Sequence, residues 1–250
     1  MSGHSKWSQI KRKKGITDVK RGQLFTKLAR ELTSASREGG PDPSGNIRLR
    51  LGIQRARDSN MPMDNIERAV KRGSGDGQSQ DAYFEVTYEG YSAGGAAVLV
   101  EAMTDNRNRA VSDIRRVFSR NGGNMGETGC VAWQFESKGV ITGGAPDGKA
   151  EEVALAAIDA GADDVKTDDD GFEVYTAPEG LEAVRQALES FGANIVSSEL
   201  QMVAKSTTPL DPGAAHQTLR LLDLLEELDD VQKVHTNAEF PDEVLAEAAS

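Results

Sequence analysis

Apolar residues recur at helical spacing through the start of the chain. Leu24, Phe25, Leu28, Leu32 and Ala35 fall on one face of a helix that Thr17 or Asp18 can cap, and Lys20, Lys27, Arg30 and Arg37 lie off that face. The run GGPDPSG at residues 39–45 ends it, because two prolines and three glycines cannot continue a helix. In NIRLRLGIQRARD the residues Ile47, Leu49, Leu51 and Ile53 alternate with polar ones as in a strand. Leucine, arginine, glutamine and alanine are nevertheless better helix formers, and a second helix is predicted. A third is predicted where Asp64 caps, Glu67 follows three residues on, and Lys71 and Arg72 suit the C-terminal dipole before Gly73.

The period changes after GSGDGQSQD at residues 73–81, a linker by composition. YFEVTYEGY and AAVLVEAMTD read as two strands around the turn SAGG. Asn106 caps a helix from about Arg107 to Arg120, and VAWQFE from Val131 reads as a third strand. The pattern then restarts with a strand at GVIT and a helix from Lys149 to Ala160. A hairpin across TDDDG to FEVYT, a helix from Gly180 to Phe191 and a strand in ANIVSSELQMVA follow. That order is the split βαβ arrangement of ferredoxin-like domains. A leucine-rich helix with Leu219, Leu222, Leu225 and Leu228, followed by VQKVHTN, supplies the helix and strand that residues 82–135 lack. The expected fold class is α+β multidomain, with an N-terminal helical domain and two α/β domains, a ferredoxin-like one inserted in the other. The predicted boundaries are 1–77, 78–135 plus 207–240, and 136–206.

Charge adds the strongest functional signal. The net charge is −11, yet residues 1–72 hold 17 Lys/Arg against 7 Asp/Glu, while residues 73–250 hold 12 against 33. Such a molecule is expected to turn its basic end to a polyanion and hold its acidic body away. The densest block, residues 3–22, carries Lys6, Lys11, Arg12, Lys13, Lys14, Lys20 and Arg21 against the single acid Asp18. A segment so charged buries little and is expected to be ordered by an anionic partner, polyphosphate being the commonest. Trp7 adds a stacking surface that a merely solubilising tail, the alternative, would not need. A second constellation places Asn106, Arg107, Asn108 and Arg109 at a helix N-terminus, which attracts anions. Its alternative is capping with salt bridges to Asp105 and Asp113. The candidate nucleic-acid-binding residues are thus Lys6, Trp7, Lys11, Arg12, Lys13, Lys14, Lys20, Arg21, Lys27, Arg30, Arg107 and Arg109.

Other chemistries are poorly served. No run approaches the roughly eighteen apolar residues of a membrane helix, and the start lacks a secretory signal. The lone Cys130 forms no internal disulfide, which fits a reducing, cytoplasmic setting. GGAPDGKA has phosphate-loop spacing, but Ala150 offers no hydroxyl for magnesium and Asp147 would repel phosphate. His4, His216 and His235 stand far apart without metal-ligand neighbours, and Asp168 to Asp170 reads as a solvated turn. No acid, base and nucleophile come together, so neither an enzyme, a cofactor nor a small-molecule substrate is expected.

The segments GHSKW at 3–7, NMPMDNIERAVKRG at 60–73, YEGY at 88–91, TDNRNR at 104–109 and NGGNMGETGCVAWQF at 121–135 together resemble the YebC family. Its members are widely described as transcriptional regulators, the mitochondrial ones as translational activators. The resemblance implies a helical first domain and two α/β domains, one within the other. With GHSKW starting at the third residue, the expected form is bacterial and cytoplasmic, or already mature. Two partners are expected from it and from the charge: promoter DNA, or ribosomal RNA and the ribosome. RNA is preferred, since no pair of short helices around a three- or four-residue turn stands out as a DNA reader, and a basic tail that folds on contact suits structured RNA. Target site, effector and oligomeric state leave no signal.

Overall fold

The computed structural model describes residues 18–75, 83–146, 149–168 and 171–249. It divides into two compact units. Of the described residues, one unit holds those up to Ala56, those from Met61 to Phe135 and those from Ala204 onward; the other holds those from Glu136 to Val203 together with Arg57–Asn60.

The first unit opens with three helices, α1 (Asp18–Gly39), α2 (Ile47–Asp58) and α3 (Met63–Gly73). Leu28, Leu32 and Ala35 of α1 are buried against Leu49 and Ala56 of α2 and Ile66 and Ala69 of α3. The strand-like alternation in α2 is overruled by the set that packs: Leu49, Gly52 and Ala56 are buried, at helical spacing, and Ile47 stays 65% exposed. Asn46 fastens α1 to α2. Its buried amide donates to the carbonyls of Ala35 and Gly40, both at 2.8 Å, while its oxygen caps Leu49 N at 3.0 Å. The expected Asp64 cap is corrected: α3 begins two residues earlier, at Met63, with Pro62 in the cap position and no side-chain cap. A proline there sets its own φ for the turn and loses no helical hydrogen bond.

The α1–α3 crossing is close. Thr33 Oγ1 donates to Ala69 O at 3.1 Å, Ser36 Oγ donates to Val70 O at 2.8 Å, and a Cβ on Gly73 would fall 2.7 Å from Ser36 Cβ. Gly73→Ala is therefore expected to cost about 1–3 kcal/mol by forcing the helices apart. Thermal melts followed by circular dichroism check this, and an unchanged midpoint would mean the crossing is loose in solution.

A four-stranded antiparallel sheet follows, in the order β3 (Asn124–Met125), β1 (Phe84–Tyr91), β2 (Ala97–Thr104), β9 (Val231–Thr236). The β1–β2 register runs from Phe84↔Thr104 to Tyr91↔Ala97. Helices α4 (Arg107–Arg120) and α7 (Pro212–Glu226) bring Ile114, Phe118, Leu221, Leu222 and Leu225 onto Val98, Val100 and Val234 in one core. The strand expected at VAWQFE is a correction. Residues 132–134 form a 3-10 turn, and strand β4 (Phe135–Gly144) starts only at the end of that segment. The reason is a distant acceptor: the N–H groups of Val131 and Ala132 donate to the Glu89 carboxylate and are lost to sheet pairing. Strands β8 (Thr208–Pro209) and β10 (Ala238–Glu239) form a short parallel pair, and α8 (Asp242–Ala249), for which the sequence raised no expectation, adds Val244 and Leu245 to the core.

In the second unit β4 is followed by α5 (Ala150–Asp159), β5 (Asp164–Asp168), β6 (Gly171–Thr176), α6 (Leu181–Phe191) and β7 (Asn194–Ala204). The strand order is β5-β6-β4-β7, the ferredoxin-like arrangement. Among the described residues no helix is long and apolar enough to cross a membrane.

Candidate nucleic-acid interface

The sequence candidates separate into three groups. Lys6, Trp7, Lys11, Arg12, Lys13 and Lys14 lie outside the described residues. Lys20 and Arg21 occupy the first turn of α1, with Arg21 exposed. The others are largely engaged by the protein itself. Lys27 Nζ donates to Glu226 O at 2.6 Å, and Arg30 Nη1 donates to Asp229 O at 2.6 Å and to Asp230 Oδ1 at 3.3 Å. Arg109 meets the same carboxylate, with Nη2 2.9 Å from Asp230 Oδ2 and 2.7 Å from Asp105 Oδ1. Hydrogen bonds to Asp230 and Asp105 raise the Arg109 pKa further above its ordinary value, and the bond from Arg109 lowers that of Asp105.

Asp230 is 8% exposed and sits just ahead of β9. It therefore joins a helix of the N-terminal bundle, through Arg30, to the first turn of α4, through Arg109. Asn106 Oδ1 caps that turn by accepting from Arg109 N at 3.1 Å. The capping-and-ion-pair alternative describes Arg109 well, except that Asp230 is an added partner and Asp113 pairs with Arg116. Arg107 stands apart: its guanidinium carbon lies 4.5 Å from the centroid of the exposed Phe84 ring.

Other cations are also consumed. Arg48 bridges Glu38 and Glu85, and Arg55 pairs with Glu31 at 3.1 Å. Arg68, Lys71 and Arg72 differ. They project from the C-terminal half of α3, are exposed, and have no carboxylate within ion-pair distance among the described residues.

The connection between α2 and α3 corrects the ground on which DNA was disfavoured. The two short helices are joined by residues 59–62 alone, a four-residue turn closed by Asn60 at φ 57° and Pro62. That spacing is the one a helix-turn-helix unit uses. Its charge is placed the other way, however. A DNA-reading helix leads with its N-terminal residues, and α3 leads with Asp64 and Glu67, both exposed, while its cations lie at the far end.

Sequence reasoning missed one aromatic. Trp133, taken for a strand residue, is 68% exposed. The loop carrying it is held by Glu89, a 3%-exposed carboxylate that accepts from Gly129 N, Val131 N and Ala132 N at 2.6, 2.7 and 2.8 Å. Burial raises the Glu89 pKa, and the three N–H donors outweigh it, leaving the carboxyl below its ordinary value. Tyr91 OH and Trp133 Nε1 both donate to Cys130 O at 3.1 Å. Among the described residues no group of three or more His, Cys, Asp or Glu is placed to hold a metal ion.

Residues 5–76 match the family model described as the TACO1/YebC protein N-terminal domain, and residues 83–238 match the model for the TACO1/YebC second and third domain. The chain belongs to the TACO1/YebC family. A probable transcriptional regulatory protein of Dehalococcoides mccartyi is 55% identical over 245 residues, covering 98% of this chain and 97% of that protein. Another so named, from Rubrobacter xylanophilus, is 54% identical over 249 residues and covers both chains fully. The crystal structure of a conserved hypothetical protein from Aquifex aeolicus superposes with a TM-score of 0.82 at 46% identity, covering 90% of this chain and 92% of that one. The α+β multidomain architecture is thus that of a TACO1/YebC protein.

Proposed function

We propose that this chain is a non-enzymatic, regulatory nucleic-acid-binding factor whose target is structured RNA of the ribosome, approached through the basic arm and the helical domain. The observation that carries the choice of RNA is the polarity of α3. Exposed Asp64 and Glu67 at its leading turn oppose insertion into a phosphate-lined groove, whereas Arg68, Lys71 and Arg72 form a cationic edge suited to backbone contact. The acidic excess of residues 73–250 orients the molecule so that its basic end leads onto the polyanion.

Promoter DNA is the second reading, favoured by the α2–α3 spacing and by the regulatory names of the relatives. Filter binding of the full chain to ribosomes and to duplex DNA at one salt concentration separates them, and tighter binding to duplex DNA would reverse the preference. Within either complex the arm is expected to dominate the electrostatic part of binding. Replacing Lys11, Arg12, Lys13 and Lys14 together by alanine should flatten the log-log salt dependence by up to about 3–4 units on duplex phosphates, and by less on single strands. An unchanged slope would assign the block to solubility.

A further inference from the structure

We propose that Trp133 is a second, preformed contact for the nucleic acid: a platform on which one unstacked base lies, with Lys205 beside it for the adjoining phosphate. The proposal rests on the functional reading above and adds a site outside the basic domain. Four features of the loop point to it. The indole is 68% exposed, while Val131 and Phe135, two residues to either side, are fully or almost fully buried, so the apolar side chains nearest it in the chain add no exposed surface to the ring. Protein partners select contiguous apolar area, while a base needs only a π-face with a cation nearby.

Secondly, the ring's one donor is already satisfied. Trp133 Nε1 gives its hydrogen to Cys130 O at 3.1 Å, so a ligand is met by the face and needs no acceptor. Thirdly, the loop that carries the ring is held in place. The buried Glu89 fixes Gly129, Val131 and Ala132, and Tyr91 OH fixes Cys130 O, so the ordering entropy of the loop is lost on folding and not on binding. Fourthly, a cation is in place. Lys205 Nζ donates to the backbone carbonyl of Trp133 at 3.0 Å, and Lys205 N donates to Gln134 O at 2.8 Å, which holds the exposed ammonium at the residue that carries the ring, with further N–H donors to offer.

The test reads the ring itself. In a Trp7→Phe background Trp133 is the remaining tryptophan. Its emission should be quenched by single-stranded oligoadenylate and left unchanged by an abasic ribose-phosphate chain of the same length. Trp133→Ala should weaken oligoadenylate binding about ten- to a hundred-fold, the range of one base stack. Trp133→Phe should retain most of the affinity and Trp133→Leu should resemble alanine. Lys205→Gln should lower the salt slope by about 0.7, one single-strand phosphate, while quenching persists. Affinity restored by leucine, or equal quenching by the abasic chain, overturns the platform. Binding by the wild type that is indifferent to Trp133→Ala overturns the platform alone, whereas a wild type that binds no RNA overturns the functional reading beneath it.

Discussion

Glu89→Ala should be among the most damaging single substitutions in the middle domain, lowering stability by about 3–5 kcal/mol. The carboxylate is 3% exposed and serves three backbone donors, of which Val131 N is buried. Removing it leaves donors unpaired at about 1–3 kcal/mol each and opens a void beside β1. For a chain of this length that corresponds to a fall in melting midpoint on the order of 10 °C. Glu89→Gln should fall between the two, since an amide keeps one acceptor and turns its NH2 toward N–H groups it cannot serve. The same carboxylate gives a pH dependence. Its folded-state pKa is depressed, so its stabilisation is complete above the ordinary value of 4.5 and is lost as pH falls below that through the lowered folded value. Trp133 emission during acid titration should report the loop loosening before global unfolding. A Glu89→Ala protein that melts with the wild type would show the loop to be held by something else.

The second large effect is expected at Asp230. Its carboxylate is nearly buried and takes charged donors from both Arg30 and Arg109. Alanine there leaves the largely buried Arg30 guanidinium without that counter-charge, which costs several kcal/mol for a buried pair. Arg109 is 46% exposed and water recovers part of its loss, so about 2–4 kcal/mol is expected in all. Asp230→Asn should recover part by keeping an acceptor. Because Arg30 stands on α1 and Arg109 on α4, Asp230→Ala should also make protease cleavage in the 73–82 connection faster. If neither the melting midpoint nor the cleavage rate changes, the bridge does not hold the bundle to the sheet in solution.

What could be read from sequence follows the range of the forces involved. The α1 stripe and the β-α-β-β-α-β order depend on neighbours a few positions apart, and both were legible. The 3-10 turn at 132–134 was not, because the carboxylate that takes its N–H groups lies some forty residues upstream. Lys27, Arg30 and Arg109 looked available for phosphate since their acceptors lie 199, 200 and 121 residues away. The α2–α3 turn, by contrast, carried its own signal. Asn60 tolerates a left-handed φ and Pro62 sets the next helix start, yet the Asp64–Glu67 pair drew the boundary later. Trp133 exposes a limit of another kind: alternation suggested a strand, and only the fold reveals on which side of the chain the indole stands.

The placement of β9 has a consequence for the order in which the molecule can assemble. β2 takes its second neighbour from residues 231–236, and Thr236 Oγ1 reaches Ala97 O across 139 residues of chain. As synthesis proceeds from the N-terminus, the ferredoxin-like segment can complete its own sheet while β2 still has an open edge. Until Asp230 emerges, Arg30 and Arg109 lack the carboxylate they share in the finished protein, and Arg109 has only Asp105. The incomplete chain is therefore both more cationic at its leading end and more open at a sheet edge than the native one, and closing so long a loop is expected to make the docking of β9 a slow step of folding.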